Sequence, residues 1–131
     1  MAFPIRVVIV DDLRDDTGTV VETCLRGEGR ERYEVALLRR ADEALLFAEA
    51  TLPPVVLFLC GMQHLAHICE PIARACSSHS IGVVLATCVA SERVPQVPGF
   101  VVLRKPFTIE ELMDAIADAA TSSAPTNAHA A

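Results

Sequence analysis

Two adjacent acids, Asp11 and Asp12, end the β-branched run Val7-Val8-Ile9-Val10. Paired carboxylates at one point can hold a hard divalent cation such as Mg²⁺. They can equally persist as a structural cluster with a lysine, and Lys105 is the candidate. Other polar or reactive residues follow apolar stretches in the same way: Cys60 after Val55 to Leu59, Thr87 after Ile81 to Ala86, and Lys105-Pro106 after Val101 to Leu103. Thr87 serves either a pocket or its own backbone. Lys105-Pro106 is either a cis peptide that aims the lysine or a turn entering a helix. Cys60, His64, His67 and Cys69 suit Zn²⁺ by type, but C-x3-H-x2-H-x-C is not a recognised clip and one loop does not readily converge four ligands. A Cys60 thiol near Lys105 would have a redox-sensor character. Asp11, Asp12 and burial oppose its thiolate.

These residues need elements to position them, and the apolar pattern supplies a regular alternation. Arg6 to Val10, Tyr33 to Leu38, Val55 to Leu59, Ile81 to Ala86 and Val101 to Leu103 read as strands, several of them unbroken apolar runs as in a parallel sheet covered on both faces. Between the first two, Asp15, Asp16 and Thr17 can cap a helix with Val20, Val21, Cys24 and Leu25 turned inward, ended by Gly27 and Gly29. Asp42 to Ala50 resumes a helical pattern that Pro53-Pro54 stops. Thr108 to Ala120 carries a capping box, Thr108 with Glu111, and a staple from Phe107 to Leu112. This order predicts a doubly wound α/β domain with a five-stranded parallel sheet, spanning residues 1–120, followed by a disordered tail from Thr121 to Ala131. In such folds the functional edge lies at the strand C-termini, where Asp11, Asp12, Cys60, Thr87 and Lys105 gather.

Composition narrows the class. With 131 residues, 52% hydrophobic against 21% charged, the chain has material for one core and is not disordered. Its longest apolar run is far shorter than the roughly 20 residues a membrane span needs, and no secretion signal is visible at the start. We therefore expect a cytoplasmic protein that does not enter a membrane. A net charge of −6 disfavours nucleic acid as partner and favours a protein. Five cysteines, with no C-x-x-C pair, read as reduced core residues.

The strand-end pattern resembles the receiver domain of bacterial response regulators (CheY-like, flavodoxin-like). V-V-I-V-D-D, Thr87 ending the fourth strand, and R-K-P-F at Arg104 to Phe107 occur in the family's order and spacing, and the resemblance spans about Ile5 to Ala120. It implies that a histidine kinase phosphorylates an Asp ending the third strand. Asp11 and Asp12 would hold Mg²⁺, and Thr87 and Lys105 would contact the phosphoryl group.

The phosphoacceptor departs from that pattern. The family motif sets Leu59 at the Asp position and Gln63 at the usual Pro, and a one-residue slip sets Cys60 there. Between Glu49 and Glu70 there is no Asp or Glu at all. With a carboxylate lost, Asp11 and Asp12 form at best a weak Mg²⁺ site, so no cofactor is expected to be required. The interval from Thr87 to Lys105 is shorter than usual by about one helical turn and contains Pro95 and Pro98, which predicts a shortened or missing fourth helix. Val101, Val102 and Leu103 occupy the neighbourhood of the family's switching aromatic, with Phe100 close by.

The sequence thus predicts a stand-alone, degenerate receiver, not an enzyme, that acts by binding a signalling protein such as a histidine kinase or another regulator. The predicted contact surface includes Val94, Gln96, Val97, Phe100 and Glu110. Two alternatives are kept: a phosphorelay receiver with Mg²⁺-dependent or non-standard phosphotransfer, and a redox or metal sensor using Cys60.

Overall fold

The computed structural model describes residues 4–11, 16–52, 54–60, 71–72, 74–76, 80–87 and 100–123. Among the described residues the elements follow in the order β1 (Ile5–Asp11), α1 (Thr17–Gly27), β2 (Tyr33–Leu38), α2 (Ala41–Glu49), β3 (Val55–Cys60), β4 (Gly82–Thr87), β5 (Phe100–Arg104) and α3 (Ile109–Ser123). Residues 71–72 and 74–76 are also helical. All strand pairs are parallel, in the order β2-β1-β3-β4-β5. The five predicted strands are all present, with ends shifted by no more than a residue or so.

β3 and β4 are buried along their whole length, which explains why they read as continuous apolar runs: each face of the sheet is covered. On one face Ile9, Phe58 and Val84 pack with Val21 and Leu25 of α1 and Leu112 and Ile116 of α3. On the other, Val10, Leu57, Leu59 and Leu85 pack with Ala44 and Ala48 of α2 and with Ile72 and Cys76. Each such large side chain contributes about 1.5–3 kcal/mol by leaving water. Phe100 opens β5, pairs with Val83 and packs partly into this second cluster, so it is a strand residue at the core margin and not a loop residue.

Two helices show how local sequence meets packing. In α1 the buried stripe is Gly18, Val21 and Leu25, with Cys24 partly covered. Val20, expected to point inward, is 55% exposed, because a step of about 100° per residue carries it off the stripe that Val21 and Leu25 define. In α3 the predicted capping box is present: Thr108 N–H donates to Glu111 Oε1 at 2.8 Å, and Glu111 N–H to Thr108 Oγ1 at 3.0 Å. Phe107 packs against the cluster that contains Leu112. The helix runs three residues beyond Ala120, to Ser123, and residues 124–131 lie outside the described set. So does the segment 88–99, which carries the expectation of a short fourth helix.

Gly82, at the start of β4, lies directly against the end of α3. A β-carbon there would stand 2.0 Å from the Ala119 carbonyl oxygen. The absence of a side chain at Gly82 is what lets α3 lie this close to the sheet. No helix among the described residues is long and apolar enough to cross a membrane.

Candidate functional site at the strand C-termini

Parallel pairing brings the ends of the strands to one edge. Asp11 is the last residue of β1 and is fully buried. Its register partner on β3 is Cys60. On the other flank, Val10 pairs with Leu38, so one step further Asp11 lies beside Arg39, the first residue after β2. Side chains alternate between faces along a strand. Leu37 of β2, Ile9 of β1 and Phe58 of β3 share the α1/α3 face, and two residues on from each stand Arg39, Asp11 and Cys60. A cation, an acid and a thiol therefore form a row across three strands.

Above that row sits the start of α1. Its N-cap residue, Asp16, makes no side-chain cap hydrogen bond. The Gly18 N–H in the first turn instead donates to Asp11 Oδ2 at 3.1 Å. The carboxylate ending β1 thus does the work of a cap, satisfying a backbone donor at the positive end of the helix. Arg39 Nη1 stands 3.6 Å from the same oxygen, with Arg39 40% exposed and Asp11 not at all. Asp11 Oδ1 is buried with no hydrogen-bond partner among the described residues.

Cys60 is fully buried and its thiol donates to the Val10 carbonyl oxygen at 3.3 Å. Leu59, the motif-based candidate for the acceptor position, turns to the opposite face and packs with Leu57, Ala44 and Ala48. The motif reading therefore differs from the strand pairing, which sets Cys60 beside Asp11. Thr87 ends β4, is buried, and pairs with Arg104 of β5. The Lys105 N–H donates to the Thr87 carbonyl at 3.0 Å, and the Lys105-Pro106 peptide is cis. Thr87 and Lys105 are thus joined through the backbone at the same edge.

The sequence reading offered Lys105 as one possible partner of the Asp11 and Asp12 pair, and the structure adds a second cation, Arg39, beside Asp11. Arg39 and Gly18 are the site residues that motif reasoning missed. Extending the β1 and β2 runs by one residue each, in parallel register, was the signal that could have found Arg39. Asp12, His64, His67 and Cys69 lie outside the described residues, as do Val94, Gln96 and Val97. Glu110 is exposed in the first turn of α3.

The resemblance implies a Mg²⁺ ion at this edge, and Mg²⁺ asks for several hard oxygen donors. Among the described residues no three His, Cys, Asp or Glu side chains converge for a metal. Of Asp11's two oxygens one is already used by Gly18 and faces a guanidinium, and the neighbouring side chain in the row is a thiol. Asp12, the other acid that the resemblance assigns to such an ion, lies outside the described residues.

Comparison with solved structures identifies the architecture as the flavodoxin-like receiver fold. The beryllofluoride-activated NtrC4 receiver domain dimer aligns with a TM-score of 0.64 at 21% identity, covering 91% of this chain and 98% of that one. A response regulator receiver protein from Sinorhizobium medicae WSM419 gives 0.63 at 19% identity, over 92% of this chain and 98% of that one. The chemotaxis response regulator CheY4 of Vibrio cholerae gives 0.62 at 21%, over 87% and 97%. No protein-family model matches the sequence, and no curated protein does. At these identities the likeness concerns the fold, and function has to be argued from the site.

Proposed function

We propose that the chain is a degenerate receiver domain that takes part in two-component-type signal transduction by binding a protein partner, without phosphorylation at the usual position. The observation that carries this reading is the end of β3. Acyl-phosphate formation needs a carboxylate nucleophile there, and the two residues at that point are Leu59, built into the core, and Cys60, whose thiol is engaged with the Val10 carbonyl. Phosphorylation-independent binding leaves the module with no chemical step of its own. Its partner is a signalling protein such as a histidine kinase or a downstream regulator. The surface offered is the side of α3 that carries Glu110. A redox role for Cys60 is disfavoured by its complete burial. The phosphorelay alternative draws on the retention of Asp11, Thr87 and Lys105 at one edge.

The test is incubation with a small phosphodonor and Mg²⁺ followed by intact-mass measurement. The expected result is no adduct. A stoichiometric gain of one phosphoryl group would sink the degenerate reading in favour of the phosphorelay one.

A further inference from the structure

We propose that Arg39 is the standing counter-cation of the buried Asp11 carboxylate, occupying by its guanidinium the electrostatic role that a divalent ion would otherwise fill at this edge. Burial of an acid with no exposed surface is costly unless something compensates its charge. The Gly18 N–H at the α1 N-terminus, at 3.1 Å, and Arg39 Nη1, at 3.6 Å, both contribute such compensation at Oδ2.

The position of Arg39 at this edge follows from the backbone. Val10 pairs with Leu38, so Asp11 and Arg39 each follow that pair by one residue, and the alternation that puts Leu37 on the α1/α3 face brings Arg39 toward the same side. The neighbouring cation Arg40 is otherwise engaged, since its guanidinium pairs with Asp42 at 2.7 Å. Arg39 and Arg40 make up the entire link from β2 to α2. The ion pair therefore ties that corner to the carboxylate that also caps α1. Oδ1, which has no hydrogen-bond partner among the described residues, marks the second face of the carboxylate, where an incoming cation would approach. Such an ion would have to tolerate or displace a guanidinium within 4 Å of the same group, and like charges at that range oppose its binding.

This inference goes beyond the proposed function and does not require it, because it concerns the occupancy of Asp11 and not the partner or the phosphoryl acceptor. The experiment follows the Gly18 amide by NMR while Mg²⁺ is added to the wild type, Arg39→Gln and Arg39→Lys, alongside thermal midpoints without divalent ions. Arg39→Gln is expected to lower the midpoint and to bring Gly18 into response at a Mg²⁺ concentration about tenfold lower than in the wild type. Arg39→Lys, which keeps the charge, is expected to titrate as the wild type does. In an Asp11→Asn background, where Asn still accepts from Gly18, Arg39→Gln is expected to leave the midpoint unchanged. The proposal is overturned if Arg39→Gln titrates like the wild type, or if its midpoint loss persists in the Asp11→Asn background. Neither readout involves a phosphodonor, so failure here and failure of the degenerate-receiver reading are separable.

Discussion

The Gly18 N–H donates to Asp11 Oδ2 at 3.1 Å, and a β-carbon on Gly18 would stand 2.7 Å from that same oxygen and 2.8 Å from the Asp11 β-carbon. The cap that one residue supplies to the other thus exists only because Gly18 has no side chain. Gly18→Ala gains helix propensity of about 1 kcal/mol at most, but Asp11 is buried and has no room to yield. We expect a net destabilisation of about 1–2 kcal/mol by chemical denaturation. Gly27→Ala, which meets nothing within 4 Å, is expected to be neutral or slightly stabilising. Equal effects at the two positions would contradict this account.

Gly82→Ala is expected to cost more. The atoms a β-carbon would meet are the carbonyl oxygen and carbon of Ala119, at 2.0 and 2.6 Å, and backbone cannot swing aside as a side-chain tip can. The end of α3 has to move off the sheet, which places the loss at or above ~3 kcal/mol. A denaturation midpoint within error of wild type would show that α3 does not dock this closely.

Strand pairing and motif alignment disagree about β3, and two substitutions separate them. Cys60→Asp would put a second carboxylate beside Asp11 on one face, lowering the thermal midpoint in the absence of divalent ions and making it recover with Mg²⁺. Leu59→Asp would bury an unpaired charge among Leu57, Ala44 and Ala48, with a large stability loss that Mg²⁺ does not repair. A folded, Mg²⁺-responsive Leu59→Asp protein would reverse the assignment.

The thiols should differ in reactivity. Burial pushes the Cys76 pKa up to about 12, with the Glu49 charge adding to the rise. At pH 8 its thiolate fraction is then only about one in ten thousand, and the thiolate is the reacting form. Cys24 is half-buried on α1. Peptide mapping after iodoacetamide treatment of the native protein should find Cys24 modified well before Cys76, with Cys76 reacting on denaturation. Early labelling of Cys76 would mean that its surroundings open readily.

Much of the fold was legible because its determinants are local. The run Val55 to Leu59 is apolar on successive residues, which a strand covered on both faces requires, and Pro53-Pro54 separates it from the preceding helical pattern. Thr108 and Glu111 name the start of α3 because a capping box involves only four consecutive residues. The chemical edge followed from the same reading, since in a parallel sheet every strand ends on the same side, and Asp11, Thr87 and Lys105 are indeed found there.

The arrangement of that edge was decided by tertiary structure. Whether Leu59 or Cys60 faces Asp11 depends on which sheet face each occupies relative to a strand nearly fifty residues away, and a one-residue shift inverts the answer. Arg39 carries no motif, and it becomes a partner of Asp11 only because β2 lies next to β1 in parallel register. Gly18 reads as a weak helix residue until the close approach to Asp11 gives it a purpose. The sequence by itself determined the elements and the side of the sheet on which the polar groups collect, because short-range patterning encodes both. Pairing register and helix docking decided which of those groups touch, since contacts between distant segments are a property of the packed chain and of no local stretch of it.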